Sequence, residues 1–84
     1  MIVQAAIFIP QTKLILTLPR PARHADIKNA ALNTGLSDAW FRTAIDGFLI
    51  ENGRFLNRQD AAKHAYAIQQ IQDPIEELYT NHIW

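Results

Sequence analysis

The sequence predicts an α+β domain: a small antiparallel sheet built from two β-hairpins, with two helices packed on one face. Three observations predict it. Two apolar runs of strand length flank Pro10-Gln11-Thr12. A second pair of apolar runs flanks Glu51-Asn52-Gly53. Each hairpin is followed by a stretch with helix-start residues, one entering at Pro21-Ala22 and one at Asn57.

Ile2 to Ile9 is rich in β-branched and aromatic residues, which fit a pleated surface. Lys13 to Leu18 resumes as Leu-Ile-Leu-Thr-Leu after the short interruption, so the pair reads as a hairpin. Pro19-Arg20-Pro21 ends it, because proline cannot donate to a sheet ladder. Ala22 to Thr34 reads as a helix, with Pro21 at its entry and Gly35 just past its end. Ile27, Ala31 and Thr34 form one stripe, with Ala30 beside it. Leu36 to Asp46 is ambiguous; Trp40 to Ile45 reads as a strand or an aromatic loop. Phe48-Leu49-Ile50 and Arg54-Phe55-Leu56 are short strands around Asn52-Gly53, two residues that tolerate positive φ. Asn57 is a helix N-cap with Asp60 three positions on, and the helix is expected to run to about Ile71. Ala61, Ala65 and Ile68 line its inner face, with Ala62 adjacent. Asp73-Pro74 is expected to open a final short turn or helix, with Glu76 and Glu77 suiting its first turn.

The chain has 84 residues and 9.6 kDa, which fits a single domain over residues 1–84. With no cysteine, no disulfide or thiolate metal site stabilises so small a core. His24, His64 and His82 show no paired ligand spacing, so no metal or other cofactor is expected. Self-association into a homo-oligomer is the remaining way to bury more surface. No run approaches the roughly 20 apolar residues of a membrane helix, and the first residues lack a basic signal region, so a cytoplasmic protein is expected.

Eight Lys and Arg balance eight Asp and Glu, which argues against binding long nucleic acid or a membrane through bulk charge. The balance hides a segregation. Residues 1–34 and 54–69 carry excess positive charge, whereas 35–53 and 70–84 carry excess negative charge. Arg20 with Arg23, and Arg54 with Arg58, sit at or just before a helix start. Helix N-termini attract anions, and the arginine fork matches phosphate oxygens. The pattern suggests a small phosphorylated ligand, against the alternative of ordinary surface ion pairs. Phe55, directly after Arg54, is a candidate to stack on a base. No nucleophile elbow, P-loop or zinc-protease motif is present, and no two carboxylates are marked as an acid/base pair.

The chain resembles a group of small phage and prophage-encoded proteins. The matching residues are Arg23-His24-Ala25-Asp26-Ile27, Gly47-Phe48-Leu49, Gly53-Arg54-Phe55 with Asn57-Arg58, Ala61-Ala62, Gln70-Ile71, and Leu78-Tyr79 with Trp84. Gln69 departs from a helix-ending glycine, and Thr80-Asn81-His82-Ile83 departs from an acidic tail. The group is similar to phage sponge proteins, the anti-CBASS and anti-Thoeris proteins, which sequester immune signalling nucleotides as homo-oligomers without cleaving them. The resemblance implies a non-enzymatic anti-defence protein in the host cytoplasm that binds a cyclic oligonucleotide or a cyclic ADP-ribose type ligand. Arg23, Arg54 and Arg58 would then meet phosphate, His24 would donate to phosphate or a base edge, and Phe48 or Phe55 would stack. Two alternatives are a phosphodiesterase using His24 and His64, and a protein-binding inhibitor presenting Trp40, Phe41 and Trp84.

Overall fold

A computed structural model describes residues 1–84. Strands β1 (Ile2–Ile9) and β2 (Leu14–Thr17) form the first hairpin. Helix α1 (His24–Asn33) follows, then a 3-10 turn at Asp38–Arg42. Strands β3 (Ile45–Ile50) and β4 (Phe55–Asn57) form the second hairpin, and α2 (Arg58–Ala67) leaves β4 directly. A 3-10 turn at Thr80–His82 lies near the C-terminus. The sheet order is β2-β1-β3-β4, and every neighbouring pair is antiparallel. The fold is the predicted α+β sheet with two helices packed against it.

Strand register decides which side chains meet the helices, because successive residues face opposite ways. Ala5, Ile7 and Ile9 share a face with Leu16, Phe48, Ile50 and Leu56. A register shift between Ile2 and Gln4 inserts one residue, so Ile2 joins that face as well. Helix α1 lies over β1 and β2, and α2 lies over β3 and β4. Ile27 of α1 and Ala61, Ala62 and Ala65 of α2 complete the core with Ile71 and Leu78. Ala61, Ala62 and Ala65 are fully buried.

Both helices end in the same hydrogen-bonded motif. In α1 the Leu36 N–H donates to the Ala31 carbonyl and the Gly35 N–H to Leu32, with Gly35 at φ 97°. In α2 the Gln70 N–H donates to Ala65 and the Gln69 N–H to Tyr66, with Gln69 at φ 61°. This ending corrects the expected length of α2, which stops at Ala67 and not near Ile71. Ile68, expected to share a face with Ala61 and Ala65, is exposed while they are buried, and Thr34 at the end of α1 is exposed as well. Gln70 then turns back to hold the sheet: its side chain accepts from the Ile2 N–H at 2.7 Å and donates to the Ile2 carbonyl at 3.0 Å.

Two further expectations are corrected. Trp40 to Ile45 is neither one strand nor one loop: the 3-10 turn, capped by Ser37, takes Trp40 to Arg42, and β3 begins at Ile45. Asp73-Pro74 opens no helix. The chain there runs without regular structure, placing Ile75, Leu78, Ile83 and Trp84 against the core.

Candidate functional site

Two places carry the side chains that chemistry requires. The first lies between the starts of the two helices. The Asn57 side chain caps α2 by accepting from the Asp60 N–H at 2.8 Å. That cap fixes Arg58 as the first helical residue, pointing across the end of β3. Its guanidinium donates to the Leu78 carbonyl at 2.7 Å and to Asp46 Oδ2 at 3.1 Å. It also lies 4.2 Å from the centre of the Tyr79 ring. At α1 the Asp26 carboxylate accepts from the Arg23 N–H at 2.9 Å. The Arg23 guanidinium donates to Thr80 Oγ1 at 2.9 Å and to the Trp84 carbonyl at 2.8 Å. Both forks therefore grip the C-terminal segment.

His24 joins the two helix starts. Arg58 Nη2 stands 3.4 Å from Nδ1, and Nε2 stands 2.8 Å from the Gly47 carbonyl. An arginine only donates, so Nδ1 accepts and Nε2 carries the proton that goes to Gly47. Burial holds the His24 pKa below its ordinary value; the Gly47 hydrogen bond opposes this, and the Arg58 charge lowers it further. The ring also meets Phe48 edge-on, with centroids 5.2 Å apart, and Phe48 meets Trp84 edge-on at 6.1 Å. Arg20 stacks over Trp84 at 4.6 Å. A cavity of ≈ 330 Å³ opens beside this cluster, but its lining includes Asp46 and Glu77 with the already paired Arg58. Two carboxylates beside one engaged guanidinium disfavour an anion there.

The expected ligand residues thus separate. Arg23, His24 and Arg58 come together with Phe48, but on the chain's own tail, with their hydrogen-bonding groups occupied. Phe48 is 0% exposed, which removes it as a stacking surface. Arg54 and Phe55 lie elsewhere, at the start of β4. Arg54 is exposed, and its guanidinium makes no hydrogen bond or ion pair within the chain. His64 approaches the Met1 amine at 3.4 Å, so it shares no contact with His24. Trp40, Phe41 and Trp84 are half-buried, with Phe41 and Trp84 packed on the core, and form no exposed patch. No three His, Asp or Glu side chains stand close enough to hold a metal ion. No helix is long and apolar enough to cross a membrane.

The second place is the sheet face that the helices leave uncovered. Cross-strand pairing sets Ile15, Phe8 and Ile45 in one row, and Gln4, Leu49 and Phe55 in another. Between them run Thr17, Ala6, Gly47 and Asn57. Phe55 lies over Gly47: a Cβ there would collide with Phe55 Cζ and with the Leu56 carbonyl oxygen. Phe55 also meets Phe8, with ring centroids 5.9 Å apart. Ile15 is 40% and Ile45 42% exposed. Of these residues only Phe55 was expected at a site. The signal for the others was present: in β1 both alternating sets of positions are apolar except at Gln4, whereas a solvated face alternates with polar residues.

The chain matches, over residues 1–84, the family described as Phage T4 y16D protein. That match supplies a phage family and nothing about nucleotides, sponges or particular motifs. No curated protein and no solved structure matches the chain.

Proposed function

Because the chain belongs to the Phage T4 y16D family, we propose that it is a phage binding protein of the host cytoplasm that performs no catalysis and acts by protein association through the helix-free sheet face. The observation that carries this is the row Ile15, Phe8 and Ile45, with Ile15 and Ile45 exposed and Phe8 half-buried between them, on a face without one charged side chain. Contiguous exposed apolar surface on a small protein marks an association site. His24, half-buried at the start of α1, has both ring nitrogens engaged and is poorly placed for proton transfer. The test is a photo-crosslinking residue at position 15 or 45 in infected cells, with position 25 on the exposed side of α1 as the control. Protein adducts are expected from 15 and 45 and not from 25. Absence of adducts, or equal adducts from all three, would sink the proposal.

A second reading keeps a signalling nucleotide as the ligand. The unpaired guanidinium of Arg54, next in sequence to the Phe55–Phe8 aromatic pair, favours it. A base would stack on Phe55 and a phosphate would meet Arg54. Isothermal titration against cyclic oligonucleotides and cyclic ADP-ribose isomers tests this, with the heat expected to vanish in Arg54→Ala. No heat from the wild-type chain would exclude it.

A further inference from the structure

We propose that residues 79–84 form a latch closed through Nδ1 of two histidines, His24 and His82, and that acidification opens it while the sheet stays folded. The segment pairs with no strand. Side chains tie it to the helix starts. Arg23 donates to Thr80 Oγ1 and the Trp84 carbonyl, and Arg58 donates to the Leu78 carbonyl and lies against the Tyr79 ring. The Trp84 indole N–H donates to the Ala22 carbonyl at 3.3 Å. Each histidine accepts at Nδ1 from a group that only donates. Arg58 Nη2 stands 3.4 Å from Nδ1 of His24, and the Tyr79 N–H donates to Nδ1 of His82 at 2.9 Å. Protonation turns each acceptor into a donor, so each contact is lost.

At His24 the new charge also faces the guanidinium that holds the tail, and the surrounding groups decide what yields. From β3, Asp46 Oδ2 lies 3.1 Å from the same Arg58 Nη2, and the Gly47 carbonyl holds Nε2–H at 2.8 Å. Strand β1 offers no charge. On α1 the Asp26 carboxylate is engaged by the Arg23 N–H, and Lys28 pairs with Asp38. The tail side brings Tyr79 and, across the cavity beside Asp46, Glu77. The imidazole is fixed by Gly47 and the buried Phe48, whereas the other partners of the Arg58 guanidinium are Asp46 and the tail. Asp46 attracts both cations, so the hold on Leu78 and Tyr79 gives way. His82 faces the Tyr79 ring, and Asp73 lines the same cavity of ≈ 280 Å³. Burial holds His24 neutral in the latched chain, and the Arg58 charge adds to this. When the latch opens, the guanidinium leaves and water reaches the ring, so the open form binds protons more tightly. Docking therefore weakens as pH falls below the ordinary histidine value of about 6.5, by up to about tenfold per pH unit for each proton taken up.

NMR of the intact chain between about pH 7.5 and 5, the range in which histidines charge, tests this. The Trp84 indole N–H reports docking, and Trp40, the other tryptophan, is the internal control. On acidification the Trp84 indole resonance is expected to move while that of Trp40 stays. Amide exchange over 79–84, corrected for its intrinsic pH dependence, should accelerate at least about tenfold while β1 keeps its protection. His24→Gln and His82→Asn keep a polar side chain that cannot charge. Each alone should weaken the response, and the double variant should abolish it. A stationary Trp84 resonance, loss of β1 protection at the same pH, or a double variant that responds like the wild type would overturn the proposal. The first two outcomes are read on the wild-type chain and do not depend on how well the variants fold.

Discussion

The two faces of one sheet are built from nearly the same residue types and meet opposite fates. Ile7 and Ile15 belong to adjacent strands of one hairpin. Ile7 is 2% exposed beneath the helices, and Ile15 is 40% exposed on the other side. Over the covered face Arg58 links Asp46 to the Leu78 carbonyl of the tail, and His24 donates to the Gly47 carbonyl beside Phe48. On the open face the polar contacts stay local: Gln4 donates to Thr17, Thr17 to the Ala5 carbonyl, and Asn57 accepts from the Asp60 N–H. The difference teaches that charged side chains at helix starts need not serve a ligand. Here they satisfy carbonyls of a tail that has no sheet or helix partner of its own.

The largest break in this contrast is Phe48→Ala. Phe48 is fully buried against His24 and Trp84, so truncation leaves a cavity under both helix starts. The loss is expected to be about 3–5 kcal/mol, read as a shifted denaturant midpoint. Arg58→Met is next. It leaves the Leu78 carbonyl and Asp46 without their donor, and Asp46 is partly exposed, so the cost is expected to be about 2–3 kcal/mol. Hydrogen exchange should accelerate over residues 78–84 more than in β1. Equal acceleration in both would show that Arg58 supports the whole core and not the tail.

The pH dependence probes the same cluster. His24 is held neutral in the folded chain, so its folded pKa lies below the unfolded value of about 6.5. Between those two values the unfolded chain binds more protons, so stability falls as pH drops. The contribution is complete above about pH 6.5 and is lost as pH falls towards the folded pKa. His24→Gln should flatten that part of the profile. An unchanged slope would place the pH sensitivity in another group.

Much of the fold was legible because its signals are local. Asn52-Gly53 at a hairpin, Asn57 at a cap and Gly35 past a helix end act within a few residues of themselves. The β1–β3 pairing that builds the sheet is non-local, and no single residue announces it. The arginine partners were illegible for a related reason. Arg23 and Arg58 each reach a backbone carbonyl of the tail, and every residue has a carbonyl. Size also misled. The exposed area of 5243 Å² is close to the ~5,100 Å² expected of a compact chain of this mass. Length alone therefore does not require a partner.

The end of α2 was misread because Gln69 occupies a position where glycine is usual. At φ 61° a side chain is strained, whereas Gly35 relieves the same strain in α1. Gln69→Gly is expected to gain about 1 kcal/mol, less the extra freedom glycine gives the unfolded chain. Loss of stability on this change would mean that the Gln69 side chain holds something its backbone does not.

The smallest expected effect sharpens the comparison most. Ile7→Thr and Ile15→Thr are the same substitution on opposite faces of one hairpin. At Ile7 the hydroxyl enters an apolar core and a methyl-sized void remains, for about 2–3 kcal/mol. At Ile15 the chain should change by no more than about 0.5 kcal/mol. A loss at Ile15 as large as the loss at Ile7 would mean that Ile15 serves its own core, and the open face would lose its main claim to a partner.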